Sequence, residues 1–152
     1  MDESPTRFVV DSMLGSLARW LRILGYDADY DSQRDDPELA RIARAENRVL
    51  LTRDHELANR RGVRSLLVES QSLDEQLDQV TSAFPPPPEQ TSARCPVCNT
   101  AMVEASREEV ADRVPVYVLK HHRHFQRCPG CGRVYWRGSH WRNMQDRLDK
   151  VH

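Results

Sequence analysis

Three acidic positions in this chain each follow a short apolar run: Asp11 after Phe8-Val9-Val10, Asp35 and Asp36 beyond Ala28 to Tyr30, and Asp54 after Val49-Leu50-Leu51. If those runs are parallel strands, residues far apart in sequence meet at one edge, because ligands of open parallel sheets bind outside the carboxyl ends of the strands. Glu69, after the run Ser65 to Val68, is a weaker fourth candidate for the same edge. Carboxylates gathered within a few ångströms raise one another's pKa unless a cation compensates, so the pattern anticipates a divalent metal. Hard oxygen ligands select Mg²⁺ or Mn²⁺ rather than zinc. The reaction such a site supports is phosphodiester hydrolysis, with metal activating water and stabilising the leaving oxygen.

Each aspartate also has a structural role open to it. Asp36, with Pro37 at the first helical position, and Asp54 stand where helix N-caps stand, and capping alone accounts for an aspartate there. Asp11 differs, since it sits between an apolar strand and an apolar helix, where an unpaired charge is expensive. Arg53, beside Asp54, can bind a phosphate or stabilise its transition state, or else pair with a neighbouring carboxylate. Arg19 and Arg22 fall on the polar side of the first helix, where they would hold phosphates.

A second chemistry lies in Cys95-Pro96-Val97-Cys98 and Cys128-Pro129-Gly130-Cys131, two knuckles separated by 29 residues. This is the spacing of a zinc ribbon, in which two tight turns bring four thiolates onto one tetrahedral ion in a closed structural site. Disulfides are the competing reading, but a C-x-x-C loop is too short to be a common bridge, and paired spacing favours metal. His121, His122 and His124 read as a solvated basic patch, because four cysteines already complete the site.

The elements that must position these groups follow from periodicity. Met13, Leu14, Leu17, Ala18, Leu21 and Leu24 recur at helical spacing up to Gly25, and Leu39, Ala40, Ile42 and Ala43 mark a second helix from Asp36 to near Asn47. His55 to Arg61 is a third helical stretch, and Ser72 with Glu75 forms a capping-box pattern opening a fourth, through about Phe84. Strands and helices thus alternate four times, which implies an α/β fold: a parallel sheet with right-handed crossovers and flanking helices on both faces. Pro85 to Pro88 cannot continue a helix and favours an extended spacer. Three segments result: 1–84, a linker 85–93, and a small C-terminal zinc ribbon at 94–152. Within the ribbon, Ser106 with Glu109 suggests a short helix, Val116 to Leu119 and Arg133 to Trp136 read as strands, and Trp141 to Val151 as a terminal helix.

The net charge of −1 over 152 residues hides an asymmetry between these parts. Residues 1 to 90 carry 11 Lys and Arg against 17 Asp and Glu; residues 91 to 152 carry 11 against 6 and five of the six histidines. A basic module beside an acidic one suits a polyanion-holding part joined to a carboxylate-metal part. No stretch approaches the ~20 apolar residues of a membrane span, and the N-terminus lacks the regions of a signal peptide, so a cytoplasmic protein without membrane contact is expected.

These strings together resemble a known family, the PIN-like ribonucleases named for the C-terminal domain of the Mut-seven exonuclease. The likeness rests on Asp11-Ser12-Met13-Leu14-Gly15 with Leu17-Ala18-Arg19-Trp20-Leu21-Arg22, on Leu51-Thr52-Arg53-Asp54, on Arg94 to Asn99, and on Cys128 to Trp141. The resemblance implies a PIN-like fold with an attached zinc ribbon and metal-dependent ribonuclease activity. It makes Asp11 and Asp54 metal-binding acids, with either Asp35 or Asp36 as the third. RNA is the implied partner, held by the basic ribbon through Arg133, Arg137, His140 and Trp141. Trp141 could stack a base and His140 contact a phosphate, although packing of Trp136 and Trp141 against the first domain explains the same residues. Two other classes stay open: an RNA-binding module without turnover, and an adaptor whose ribbon docks a protein.

Overall fold

The computed structural model describes residues 6–86 and 93–137. Strands β1 (Arg7–Val10), β2 (Asp27–Tyr30), β3 (Val49–Thr52) and β4 (Ser65–Leu67) form one parallel sheet in the order β2-β1-β3-β4. Every residue of β3 is buried, as a strand covered on both faces requires. Side-chain alternation sorts the two layers. Phe8, Val10, Val49 and Leu51 pack with Leu17, Leu21, Leu77 and Val80 of α1 (Gly15–Ile23) and α4 (Leu73–Ala83). Val9 and Leu50 face the other way, onto Leu39 and Ile42 of α2 (Asp36–Ala45) and Leu57 of α3 (His55–Ala58).

Local signals are obeyed with three differences. A 3-10 turn, Ser12–Leu14, precedes α1, and a Cβ at Gly15 would lie 2.9 Å from the Tyr30 hydroxyl, which donates to Ser12 O; the glycine lets β2 approach this turn. Asp35, not Asp36, caps α2, and Asp36 is its first residue. Ser72 makes no side-chain cap bond: Ser70 Oγ instead accepts from Ser72 N and donates to Glu75, so the expected capping box does not form.

The C-terminal part is a three-stranded antiparallel sheet, β5 (Val103–Ala105), β6 (Phe125–Arg127) and β7 (Val134–Tyr135), in that order. Helix α5 (Arg107–Val110) opens with the Ser106/Glu109 capping box. Val116 to Leu119, expected as a strand, belongs instead to helix α6 (Val116–His121). The reason is packing: within α6, Val118 turns inward onto Val110, Val114 and Phe125 while Val116 and Tyr117 stay exposed, a one-sided burial that a short helix after Pro115 satisfies. The expected terminal helix at 141–151, His140, and the spacer residues 87–92 lie outside the described residues.

The two parts are joined through the open edge of β2. Ala28 N donates to Asn99 Oδ1 at 3.1 Å, and Ala28 O accepts from Arg22 Nε at 2.8 Å. An exposed strand edge is a row of unsatisfied backbone groups. Here the first cysteine knuckle and a buried arginine satisfy it. Asn99 takes φ 66°, a left-handed conformation that asparagine tolerates, and its Nδ2 donates to Asp27 at 2.7 Å.

Candidate functional site

Strands β1 and β3 are neighbours in the centre of the sheet, so their carboxyl ends deliver Asp11 and Thr52 side by side. Asp11 is only 4% exposed. Its Oδ1 accepts from Ser12 N and its Oδ2 from the Thr52 hydroxyl, both at 2.7 Å. The same hydroxyl accepts from Asp54 N at 3.0 Å. One buried Thr52 oxygen therefore fixes the positions of two acids. Asp54 caps α3, and both cap bonds, from Glu56 N and Leu57 N, fall on Oδ1.

The neighbouring pair separates by role. Asp35 Oδ1 accepts from Glu38 N at 3.0 Å, an N-cap bond. Asp36 lies near enough to the other acids to feel them: burial first, then Asp11 and Asp54, hold its pKa above the usual carboxylate value, with Arg60 opposing. Among the described residues, Asp11, Asp35, Asp36 and Asp54 take part in no ion pair. The opposite edge of the sheet is different. There Arg48 bonds Asp27, Glu46 and Phe8 O, and although burial opposes the charge on Asp27, the bonds from Arg48 and Asn99 outweigh it and hold its pKa down. Carboxylates at the amino edge are neutralised by arginine; those at the carboxyl edge are not. Oxygen donors whose repulsion Arg60 offsets only in part suit a hard divalent cation, which Asp11, Asp36 and Asp54 could hold.

The basic residues singled out in the sequence scatter. Arg53 has a buried Nε without a hydrogen-bond partner. Arg19 is exposed. Arg22, expected on a polar face, is instead buried at 5% exposure and donates to Ala28 O and to Pro96 O, the latter at 2.7 Å; it is a clamp between the two parts, out of reach of a phosphate. Arg133 is exposed, but its guanidinium bonds the Cys131 sulfur. Arg137 is exposed and lines a cavity beside the ribbon. Glu69 is exposed beyond β4, and its amide donates to Gln79. His140 and Trp141 lie outside the described residues. Two participants escaped the sequence reading, Thr52 and Arg60. A threonine ending an otherwise apolar strand, two residues before an acid, was the available signal for the first.

The four thiols form the tighter group. Cys95, Cys98, Cys128 and Cys131 are free, and their sulfurs lie within 4.8 Å of one another. Among the described residues this is the one set of three or more possible metal ligands so close; the aspartates do not form such a set. The Cys95–Cys131 sulfur distance of 3.7 Å matches the ~3.8 Å edge of a tetrahedron with Zn–S of ~2.3 Å, and Cys98–Cys128 is 3.2 Å. The residues thus fit a zinc ion, which the cluster could hold. Around them Tyr135 lies 3.2 Å from the Cys95 sulfur and the Thr100 hydroxyl 3.2 Å from that of Cys98. Bonding from Thr100 and then Cys128 pulls Cys98 down to about 6, while burial pushes Cys128 up to about 11. A Cβ at Gly130 would sit 2.9 Å from Thr100 Oγ1, so the second knuckle needs its glycine.

No curated protein and no solved structure matches the chain significantly. A family model does: the Mut7-C RNAse domain matches residues 6–148, both the acid-edged sheet and the thiol cluster. That match gives a nuclease-type function with RNA as the suggested substrate. No helix among the described residues is long and apolar enough to cross a membrane. With the match spanning nearly all of its length, the chain belongs to the Mut7-C RNAse domain family.

Proposed function

We propose that this chain is a Mg²⁺- or Mn²⁺-dependent ribonuclease that hydrolyses RNA phosphodiester bonds at the carboxyl edge of the parallel sheet. Asp11, Asp36 and Asp54 would hold the cation, and Glu69 is too weakly connected to be counted with them. A divalent cation in that position supplies a nucleophilic water at neutral pH and offsets charge on the phosphoryl oxygens. The protein's own contribution is preorganisation. Thr52 holds Asp11 Oδ2 and the Asp54 amide, and Asp35 secures the start of α2 and hence Asp36. Arg53, half-buried beside Asp54, brings a guanidinium that would suit a phosphate oxygen. Exposed Arg19 on α1 and the basic ribbon, including Arg137, would guide the strand electrostatically. Residues 1–84 act in this reading as the nuclease unit and 94–152 as a zinc-stapled RNA-holding unit. The cytoplasm fits both, offering RNA and conditions that keep thiols reduced.

The single observation that supports the reading most is the placement of Asp11, Asp36 and Asp54 at one edge, near enough to feel one another, without an ion pair among the described residues and with Arg60 offsetting their repulsion only in part. Purified protein with RNA and Mn²⁺, beside the double variant Asp11→Asn/Asp54→Asn, tests it. Cleavage by the parent and none by the variant is expected; equal cleavage sinks the assignment. RNA binding without cleavage across several metals would favour the non-catalytic module instead.

A further inference from the structure

Between α1 and the ribbon sheet lies a cavity of about 750 Å³, within the range of nucleotide-sized ligand pockets. Trp20 and Ile23 of α1 contribute one wall and Trp136 of the ribbon the other, with Phe125, itself only 2% exposed in the ribbon core, beneath it. Arg123 and His124, both exposed, stand at the same cavity. Flat apolar walls beside cations match one ligand chemistry in two parts: an aromatic ring carrying a phosphate. Sequence-specific and non-specific readers of single strands use this pairing, stacking unpaired bases on aromatic rings while basic groups track the backbone.

We propose that this cavity is a nucleobase pocket, which takes one unpaired base of single-stranded RNA between its aromatic walls while Arg123 and His124 hold the adjoining phosphate. The identity of the polymer rests on the ribonuclease reading above. Position supports the link between the two sites. Helix α1 begins at the acid edge, immediately after the turn that follows Asp11, and carries Trp20 five residues beyond Gly15. At 1.5 Å per residue that is about 7.5 Å along the helix axis, on the order of two stacked nucleotides at ~3.4 Å each. A base held here would anchor the strand on the helix that leads away from the acid edge. The cavity uses neither the carboxylates nor the thiols.

Binding is measured separately from chemistry, with full-length Asp11→Asn protein, no added divalent metal, and a labelled short single-stranded oligoribonucleotide read by anisotropy. Arg123→Glu should weaken binding about tenfold and lower the slope of log affinity against log salt by about 0.7. Glu104→Lys, an exposed reversal on the cavity wall, should tighten binding severalfold, an effect no fold damage would produce. Photocrosslinking of 4-thiouridine RNA should label peptides containing Trp20 or Trp136, and duplex RNA should bind more weakly because its bases are stacked away. Unchanged affinity in both charge variants, crosslinks elsewhere, a preference for duplex, or no RNA binding at all overturns the pocket. Wild-type cleavage with Mn²⁺ is scored independently. Cleavage without pocket crosslinks removes the pocket and leaves the ribonuclease; pocket crosslinks without cleavage do the reverse.

Discussion

The carboxyl edge of the parallel sheet and the thiol cluster of the ribbon are both sets of metal-ligand side chains, yet they are built on opposite plans. The four sulfurs converge within 4.8 Å and are surrounded by Tyr135 and Thr100, a closed site poised for one ion. The aspartates are spread more widely and are held by the elements around them: Asp11 by Ser12 N and the Thr52 hydroxyl, Asp54 by helix-cap amides and, through its own amide, by that same hydroxyl. A structural site gains by fixing all four ligands and excluding everything else. A hydrolytic site must keep positions open for water and substrate, so its ligands are held by their own elements rather than by one another. The difference suits the sulfurs to stability and, on the proposed reading, the carboxylates to turnover.

The harshest way to break this division is to remove the sulfur site. Cys128→Ser should abolish stoichiometric zinc and unfold much of the ribbon, because apparent zinc-binding energies of ~10–16 kcal/mol are folding energy in such small units. Hydrogen exchange should then rise across 94–137 while the amides of β1 and β3 stay protected. Equal loss of protection in both regions would show that the sheet does not stand without the ribbon.

The acid edge responds the other way. Asp11→Asn should reduce RNA cleavage by on the order of 10³-fold, about 4 kcal/mol of transition-state stabilisation, with zinc content unchanged. The carbonyl oxygen of asparagine can keep one of the two bonds that Asp11 accepts, so the melting temperature should move by only a few degrees. Cleavage assays beside metal analysis and thermal unfolding would check both halves. An inactive variant that had also lost zinc would erase the distinction between the regions.

Much of this division was legible in the sequence, and what was not has a physical cause. Apolar runs that end in aspartate pointed to the sheet and to its acid edge, because a central parallel strand such as β3 is buried on both faces. The thiol cluster was legible from spacing alone. Asp35 and Asp36 could not be told apart, since adjacent residues both satisfy the spacing; which one bonds Glu38 N depends on where the helix starts. Arg22 was misread because arginine suggests a wet face, whereas one of its partners, Pro96 O, comes from a segment 74 residues away. Asn99 carried no signal for the same reason: its bond to Ala28 spans 71 residues.

That joint offers the next sharpening. Arg22→Met keeps the apolar stem of the side chain but leaves two buried carbonyls without their charged donor, at a cost of about 3 kcal/mol. Thermal unfolding should shift down by about 6–12 °C for a chain of this size. Exchange at the Ala28 amide should accelerate, since the knuckle carrying Asn99 loses its second tether. Cleavage at a temperature where the variant is folded should change far less than in Asp11→Asn. A variant as inactive as Asp11→Asn would mean that Arg22 serves the chemistry after all.

The smallest effect is the most diagnostic, because its sign differs between the two plans. Burial and the charges of Asp11 and Asp54 raise the Asp36 pKa above its ordinary 3.8, so the folded chain holds that proton more tightly than the unfolded chain does. Stability attached to Asp36 is therefore present at low pH, is lost as pH rises from the unfolded value through the folded one, and stays lost at neutrality. Asp36→Asn removes the repulsion. It should make the metal-free protein slightly more stable at pH 7, by under ~1 kcal/mol, with no difference from the parent below about pH 4. A divalent ion reverses the order: saturating Mn²⁺, at about a hundred times its dissociation constant, stabilises the parent by ~2.7 kcal/mol and the variant much less. Urea unfolding at both pH values, with and without Mn²⁺, reads all four cases. A purely structural Asp36 would show destabilisation on substitution and no interaction with Mn²⁺, whereas a ligand kept ionised for a cation gives up stability until that cation arrives.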